Sequence, residues 1–383
     1  MTHPTDDTAS FAGVVSDAKV VVCCGSGGVG KTTTAAVLAL EAARAGRRSV
    51  VVTIDPARRL ADALGLDGLT NEPRRIDADL DGEMSALMLD TKATFDGLVR
   101  RYSNDTDQAE RILTNRFYQN ISSALSGTQE YMASEKLYEL ANEGAWDLVV
   151  VDTPPTRHAL DFLDAPQRLA RFLDHRLYRV LMAPTRGVVK AVNMAAQAVV
   201  RSLSKVVGGE VVADAISFFQ AFEGMDEGFK ARADAVDKLL RSPDTAFVLV
   251  ASPKADTVAE AGYFADQLER QGIDVQGLIV NRMQPTFRAG GSASATTANS
   301  ADARQRAATL QDTTLGQHYQ ALADALTLAE GEEAHLAGLA KRVAPAPVVR
   351  VPVQPFEVND LDGLATIGAV LLGVAGVGVE SRE

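Results

Sequence analysis

The sequence predicts an α/β protein built on a mostly parallel, doubly wound sheet with a helical insertion. Three observations carry that expectation. Short apolar runs rich in valine recur along the chain. Helical patterns separate most of them, as when helices cover both faces of a parallel sheet. One long stretch, residues 166–242, lacks strand patterns from about Pro166 to Arg241 and interrupts the alternation with helices alone.

In chain order, the N-terminus MTHPTDDTASFAG is polar and acidic. It lacks the basic-then-apolar order of a signal peptide, so residues 1–18 are expected as a loose, flexible tail. Lys19–Cys24, Ser49–Ile54 and Asp147–Val151 each end at a turn containing Gly, Pro, Asp or Thr, the pattern of strands buried on both faces. Between the first two, Lys31–Ala45 repeats Ala and Leu at helical spacing and stops at Gly46, completing a strand, helix, strand unit. Ala246–Ala251 and Val275–Val280 flank the amphipathic Thr257–Gln271 in a second unit, and Val348–Val353 is expected as the final strand. The core therefore falls into residues 19–165 and 243–383, with residues 286–303, small and polar, expected as a mobile loop. Leu364–Val379 is uncharged but only sixteen residues long, short of the roughly 20 that span a bilayer. A terminal helix packed on the sheet is the expectation there.

Composition excludes several function classes. With 46% hydrophobic and 23% charged residues the chain is neither disordered nor membrane-embedded. A net charge of −12 argues against a general nucleic-acid binder, since no global basic face exists to neutralise phosphates. The two cysteines, Cys23 and Cys24, are adjacent in an apolar run. They are expected as reduced strand residues of a cytoplasmic protein, and two thiols make no complete zinc site.

Gly25, Ser26, Gly27, Gly28, Val29, Gly30, Lys31 and Thr32 satisfy G-x-x-x-x-G-K-[ST], after a strand and at the opening of a helix that continues through Thr33. That context is the one the motif requires, and it identifies a P-loop NTPase. Backbone N–H groups of the loop would face the phosphates together with the positive end of the helix. Lys31 would neutralise charge between the β- and γ-phosphates, and the Thr32 hydroxyl would ligate Mg²⁺. A glycine-rich turn without a ligand is the bland alternative.

Asp55 follows the second strand in TIDPARRL, and Asp152 follows the third in VVVDTPPTRH. Carboxyl ends of parallel strands line the ligand crevice, so both can converge on the nucleotide. Asp152 fits the metal-holding acid, and Asp55 is placed to orient or deprotonate the attacking water, although the two roles are exchangeable at this level. Taken alone, Asp55 reads equally well as a helix N-cap before Pro56.

GSGGVGKTT, TIDPARRLADALG, DTPPTRHALDFL, IVNR and VPVQPFEVND together resemble, in order and spacing, the motifs of the arsenite-pump ATPases and the tail-anchored-protein targeting ATPases. The resemblance runs from Val20 to about Leu372 and implies a P-loop ATPase with a deviant Walker A motif that closes as a dimer over ATP. It implies that Asp55 is the switch I catalytic acid, and that Asp152, Thr153 and the following Pro-Pro-Thr form switch II. It also implies that Asn281 contacts adenine, with Pro352 and the segment from Phe356 to Val358 closing over the base. Two departures stand out. The family's signature lysine, which reaches the opposite subunit, is Ser26 here, so either Arg58 or Arg59 compensates or closure uses other contacts. The C-x-x-C that staples targeting subunits through zinc is missing.

Residues 166–205 hold eight Lys or Arg and one acid, Asp174, and Val188, Val192, Ala195, Val199, Leu203 and Val206 fall at helical spacing. That is a basic amphipathic helix. The resemblance implies a client groove here, whereas the bland reading is a helical subdomain packed on its own core. The expected function is a Mg²⁺-dependent, ATP-hydrolysing dimeric switch that engages a hydrophobic client or membrane-protein partner. It would be cytoplasmic, with a place peripheral to the membrane left open, and either a homodimer or a heterodimer with a lysine-bearing paralogue. A motor subunit of an anion pump and a low-turnover regulatory subunit are the alternatives.

Overall fold

A computed structural model describes residues 11–55, 57–121, 128–154, 158–174, 209–285 and 299–373. Its strands are β1 (Val20–Cys24), β2 (Arg48–Thr53), β3 (Arg74–Arg75), β4 (Glu83–Met88), β5 (Leu148–Asp152), β6 (Thr245–Ala251), β7 (Val275–Met283) and β8 (Val348–Pro352). They form one sheet in the order β3-β4-β2-β5-β1-β6-β7-β8. All neighbours run parallel except β3 and β4. The expected doubly wound architecture is what the chain adopts.

Alternation across the pleat explains the valine runs. Val20, Val22 and Cys24 pack on one face against the helices Thr128–Asn142, His158–Asp174, Asp226–Leu240, Ala255–Arg270 and Thr314–Val343. Val21 and Cys23 pack on the other face against the helices Lys31–Arg44 and Leu361–Leu371. Both faces are covered, so every position of β1 favours an apolar side chain, each worth about 1.5–3 kcal/mol when fully buried. The cysteines are free and buried, and burial pushes the Cys24 thiol up to about 12.

Four features differ from expectation. Residues 11–18 are not loose. Phe11 is fully buried, its N–H bonds Leu371 O at 3.0 Å, and its ring fills the space that a Cβ on Gly277 would occupy. The helix Ala12–Asp17 follows it. The two-residue edge strand β3 and its neighbour β4 went unread, β4 because EMSALM carries Met and Ala rather than β-branched residues. Asn299 caps a helix over Ser300–Thr309 by accepting from Asp302 N, so the expected loop 286–303 ends earlier, and residues 286–298 lie outside the described residues. Finally, the boundary expected at residue 166 falls inside a helix, since Pro166 lies within His158–Asp174.

The helical layer also draws on more of the chain than the insertion. Leu98, Val99, Ile112, Tyr118 and Met132 share one cluster with Phe218, Phe222, Met225 and Phe229. Residues 91–142 therefore supply half of it. Among the described residues no helix is long and apolar enough to cross a membrane. The basic amphipathic pattern from Val188 to Val206 lies outside the described residues.

Candidate active site

The central strand β1 delivers the glycine-rich loop between β5 and β6. Gly25 passes so close to β6 that a Cβ there would lie 2.1 Å from Val250 O. Gly30 opens the loop's helix at φ +97°, and a Cβ there would meet Asn281 Nδ2 at 2.2 Å. Both positions therefore demand glycine. Lys31 is buried and folds its ammonium back onto Ser26 O at 2.8 Å. Burial lowers its pKa, with Asp152 opposing that shift and Arg59 adding to it.

Asp152 ends β5 in register with Cys23 on one side and Thr53 on the other. Its Oδ2 accepts from the hydroxyls of Thr32 at 2.8 Å and Thr53 at 2.9 Å, while Oδ1 is buried without a partner. Burial pushes this carboxyl up to about 6, against the two hydroxyls and Lys31, with Asp55 adding to the rise. Thr153 anchors the following turn by donating to Cys23 O at 2.7 Å.

Asp55 sits half-buried beyond β2. Its N–H bonds Thr53 Oγ1 at 3.3 Å, its Oδ1 accepts from Ala57 N at 3.0 Å, and its Oδ2 lies 3.5 Å from the Arg59 guanidinium. It closes a turn two residues long rather than capping a helix, because the next helix starts at Arg59 with no side-chain cap. Arg58 lines a cavity of about 250 Å³ with Thr53, Ala57, Leu60, Leu69 and Met88.

Asn281, near the end of β7, donates to Val29 O at 3.0 Å and so grips the loop itself. Its neighbour across the ladder is Val351, and Pro352 follows on β8. Phe356 and Val358 lie over the start of the helix Leu361–Leu371, Phe356 exposed and Val358 half-buried. Of the residues singled out in the sequence, Gly25 to Thr33, Asp55, Asp152, Asn281 and Pro352 all lie at the loop or at carboxyl ends of strands. Pro155 and Thr156 lie outside the described residues.

The profile of one protein family, described as Anion-transporting ATPase, matches residues 18–312, well over half of the chain. The chain belongs to the anion-transporting ATPase family. It is similar to an ATPase ASNA1 homolog of Dictyostelium discoideum, 25% identical over 68% of this chain and 70% of the relative. It is also similar to the ATPase GET3 of Malassezia globosa, 24% identical over 69% and 72% of the two chains. A third relative, ATPase get3 of Schizosaccharomyces japonicus, is 26% identical over 68% and 72%. This family member is thus an ATPase, and a nucleotide is its substrate.

Two residues of this ATPase escaped the sequence. Thr53 reads as nothing more than the last residue of a strand, yet it donates to the Asp152 carboxylate and accepts from the backbone N–H of Asp55. Gln129 lies in a helix that carries no motif, yet it donates to Ile54 O at 3.1 Å, beside Asp55. Only the place of Thr53, two residues before a strand-end carboxylate, offered a signal to follow.

Proposed function

We propose that the chain is a Mg²⁺-dependent, dimeric ATP-hydrolysing switch whose nucleotide state is passed to its helical layer, which engages a hydrophobic client or protein partner. The observation that carries this is Asp152, buried at the centre of the sheet with Oδ2 doubly bonded by Thr32 and Thr53 and Oδ1 orphaned. A buried carboxylate with one empty oxygen beside a hydroxyl on a phosphate loop fits a hard divalent cation, held directly or through water. Thr32 and Asp152 would hold Mg²⁺, which supplies charge neutralisation across the β- and γ-phosphates when bound.

The chain's own groups do the rest. Loop N–H groups from Gly27 to Lys31 cradle the phosphates, and Lys31 swings from Ser26 O to the β/γ bridge. Asp55 orients the attacking water and accepts its proton. Asn281, Pro352, Phe356 and Val358 border the base.

Coupling to the helices follows the chain path. Asp152 and Thr153 lead within a few residues into the helix His158–Asp174, whose Ala165 and Leu173 belong to the helical-layer cluster. The motif resemblance to the arsenite-pump and targeting ATPases, which close as dimers over ATP, favours a dimer. Because position 26 is Ser, the second subunit is either another copy or a paralogue that bears a lysine there.

The test compares nucleotide binding and turnover of the purified chain with those of two variants. Lys31→Ala abolishes binding or turnover, while Asp55→Asn keeps nucleotide affinity and loses turnover by at least about 100-fold, the scale of several kcal/mol at the transition state. Wild-type turnover in Asp55→Asn removes Asp55 from the chemistry. Co-purification of apolar helices with the ATP-trapped Asp55→Asn protein supports client engagement, and a membrane channel in their place favours the pump-motor alternative.

A further inference from the structure

Phosphoryl transfer spreads negative charge over the γ-phosphate oxygens, and P-loop enzymes meet it with a second cationic side chain besides the loop lysine. In this loop the only cation is Lys31, and position 26 presents a buried serine hydroxyl. The turn that carries Asp55 carries two arginines, and the structure tells them apart. Arg58 borders the apolar cavity with Leu60, Leu69 and Met88. Arg59 lies 3.5 Å from Asp55 Oδ2, its side chain is 60% exposed, and its charge is felt at the Lys31 ammonium. Solvent reaches the guanidinium and screens the pair, and at 3.5 Å the contact is loose, so a triphosphate competes with it.

We propose that Arg59 is a catalytic residue supplied in cis: without nucleotide it latches Asp55, and with ATP bound it moves to the γ-phosphate of its own subunit. The one movement does two things. It places a guanidinium where charge develops, and it uncovers Asp55 for the attacking water. The water oxygen then bonds the γ-phosphorus, the bond to the bridging oxygen breaks, and the electron pair leaves on ADP. The water's proton goes to Asp55 and on to solvent. This inference rests on the role proposed above for Asp55.

The experiment titrates the full chain with Mg-ADP alone and with Mg-ADP plus aluminium fluoride, which mimics the transferring phosphoryl group, and measures turnover in parallel. The wild type should bind the fluoride complex at least about tenfold more tightly than ADP, since transition-state mimics gain what ground states lack. Arg59→Gln should lose that preference, with ADP affinity moved by less than about threefold and kcat lowered by at least about 100-fold. Arg59→Lys should restore part of both. Mixing Arg59→Gln protein with Lys31→Ala protein should not recover turnover, because no site then holds both cations. Recovery on mixing overturns the cis assignment. An unchanged preference in Arg59→Gln, no preference in the wild type, or an equal loss in Arg58→Gln overturns Arg59. Impaired Asp55→Asn beside normal Arg59→Gln defeats this inference alone, whereas normal Asp55→Asn defeats the Asp55 reading itself.

Discussion

Thr53 donates its hydroxyl to Asp152 Oδ2 and accepts the backbone N–H of Asp55, so one side chain sets the spacing of two carboxylates on neighbouring turns. Thr53→Val keeps the volume and the β-branch but removes both bonds. Loss of such an outer partner commonly costs 10–100-fold in metal affinity or activity. We expect about a tenfold rise in the Mg²⁺ concentration that half-saturates turnover, measured by titrating Mg²⁺ at fixed ATP, with Thr53→Ser close to wild type. Its importance is invisible in the sequence because Thr is an ordinary strand residue, whereas Asp152 after four apolar residues and Lys31 in its loop declare themselves. The same contrast holds at Asp55. Its turn-closing bond to Ala57 N, at 3.0 Å, shows that the structural reading and the chemical one describe the same carboxylate rather than competing for it.

Elements divide the sheet into a working end and a holding end. At the holding end, Asp147 before β5 takes two side-chain bonds and one backbone bond from Arg48 at the start of β2, the closest at 2.7 Å. Hydrogen bonding to Arg48 holds the Asp147 carboxyl down at about 2. A depressed carboxyl stabilises the fold above its unfolded pKa, near 4, and that contribution disappears as pH falls towards 2. The pair is half-exposed, so Asp147→Asn should cost less than about 1 kcal/mol at neutral pH. The gap from wild type should narrow on acidification in urea melts below pH 4, while ATP turnover stays unchanged because the site is at the opposite strand ends. Between the helices Thr128–Asn142 and Asp226–Leu240 the stakes are higher. Glu135 is buried and takes Arg232 Nε at 2.7 Å, and the Tyr138 ring lies 3.9 Å from the guanidinium. Arg232→Met strands a buried charge and should destabilise by about 3–5 kcal/mol, while the double variant Glu135→Leu/Arg232→Met should recover most of it. Chemical denaturation of the three variants reads this directly.

Across the whole molecule, the valine strands and the glycine loop made the sheet and its phosphate-binding centre legible, because a parallel sheet buried on both faces leaves few residue choices. The helical layer was legible only in part. Residues 91–142 show no gap in composition that separates them from the core, and their place in the layer depends on contacts with Phe218, Phe222 and Phe229, far along the chain. If the layer responds to nucleotide, hydrogen exchange should differ between ADP and ATP-trapped states over His158–Asp174 and Thr128–Asn142. The helix Ser300–Thr309, packed on the long helix Thr314–Val343, should stay the same. The bond from Gln129 to the carbonyl of Ile54, 3.1 Å long, joins that layer to the turn holding Asp55. Linkage between two sites has no preferred direction: a factor by which ATP tightens the grip on a client is the factor by which that client tightens the hold on ATP. On the proposed function, a loaded molecule would therefore fill with ATP at a different concentration from an empty one, by that same factor.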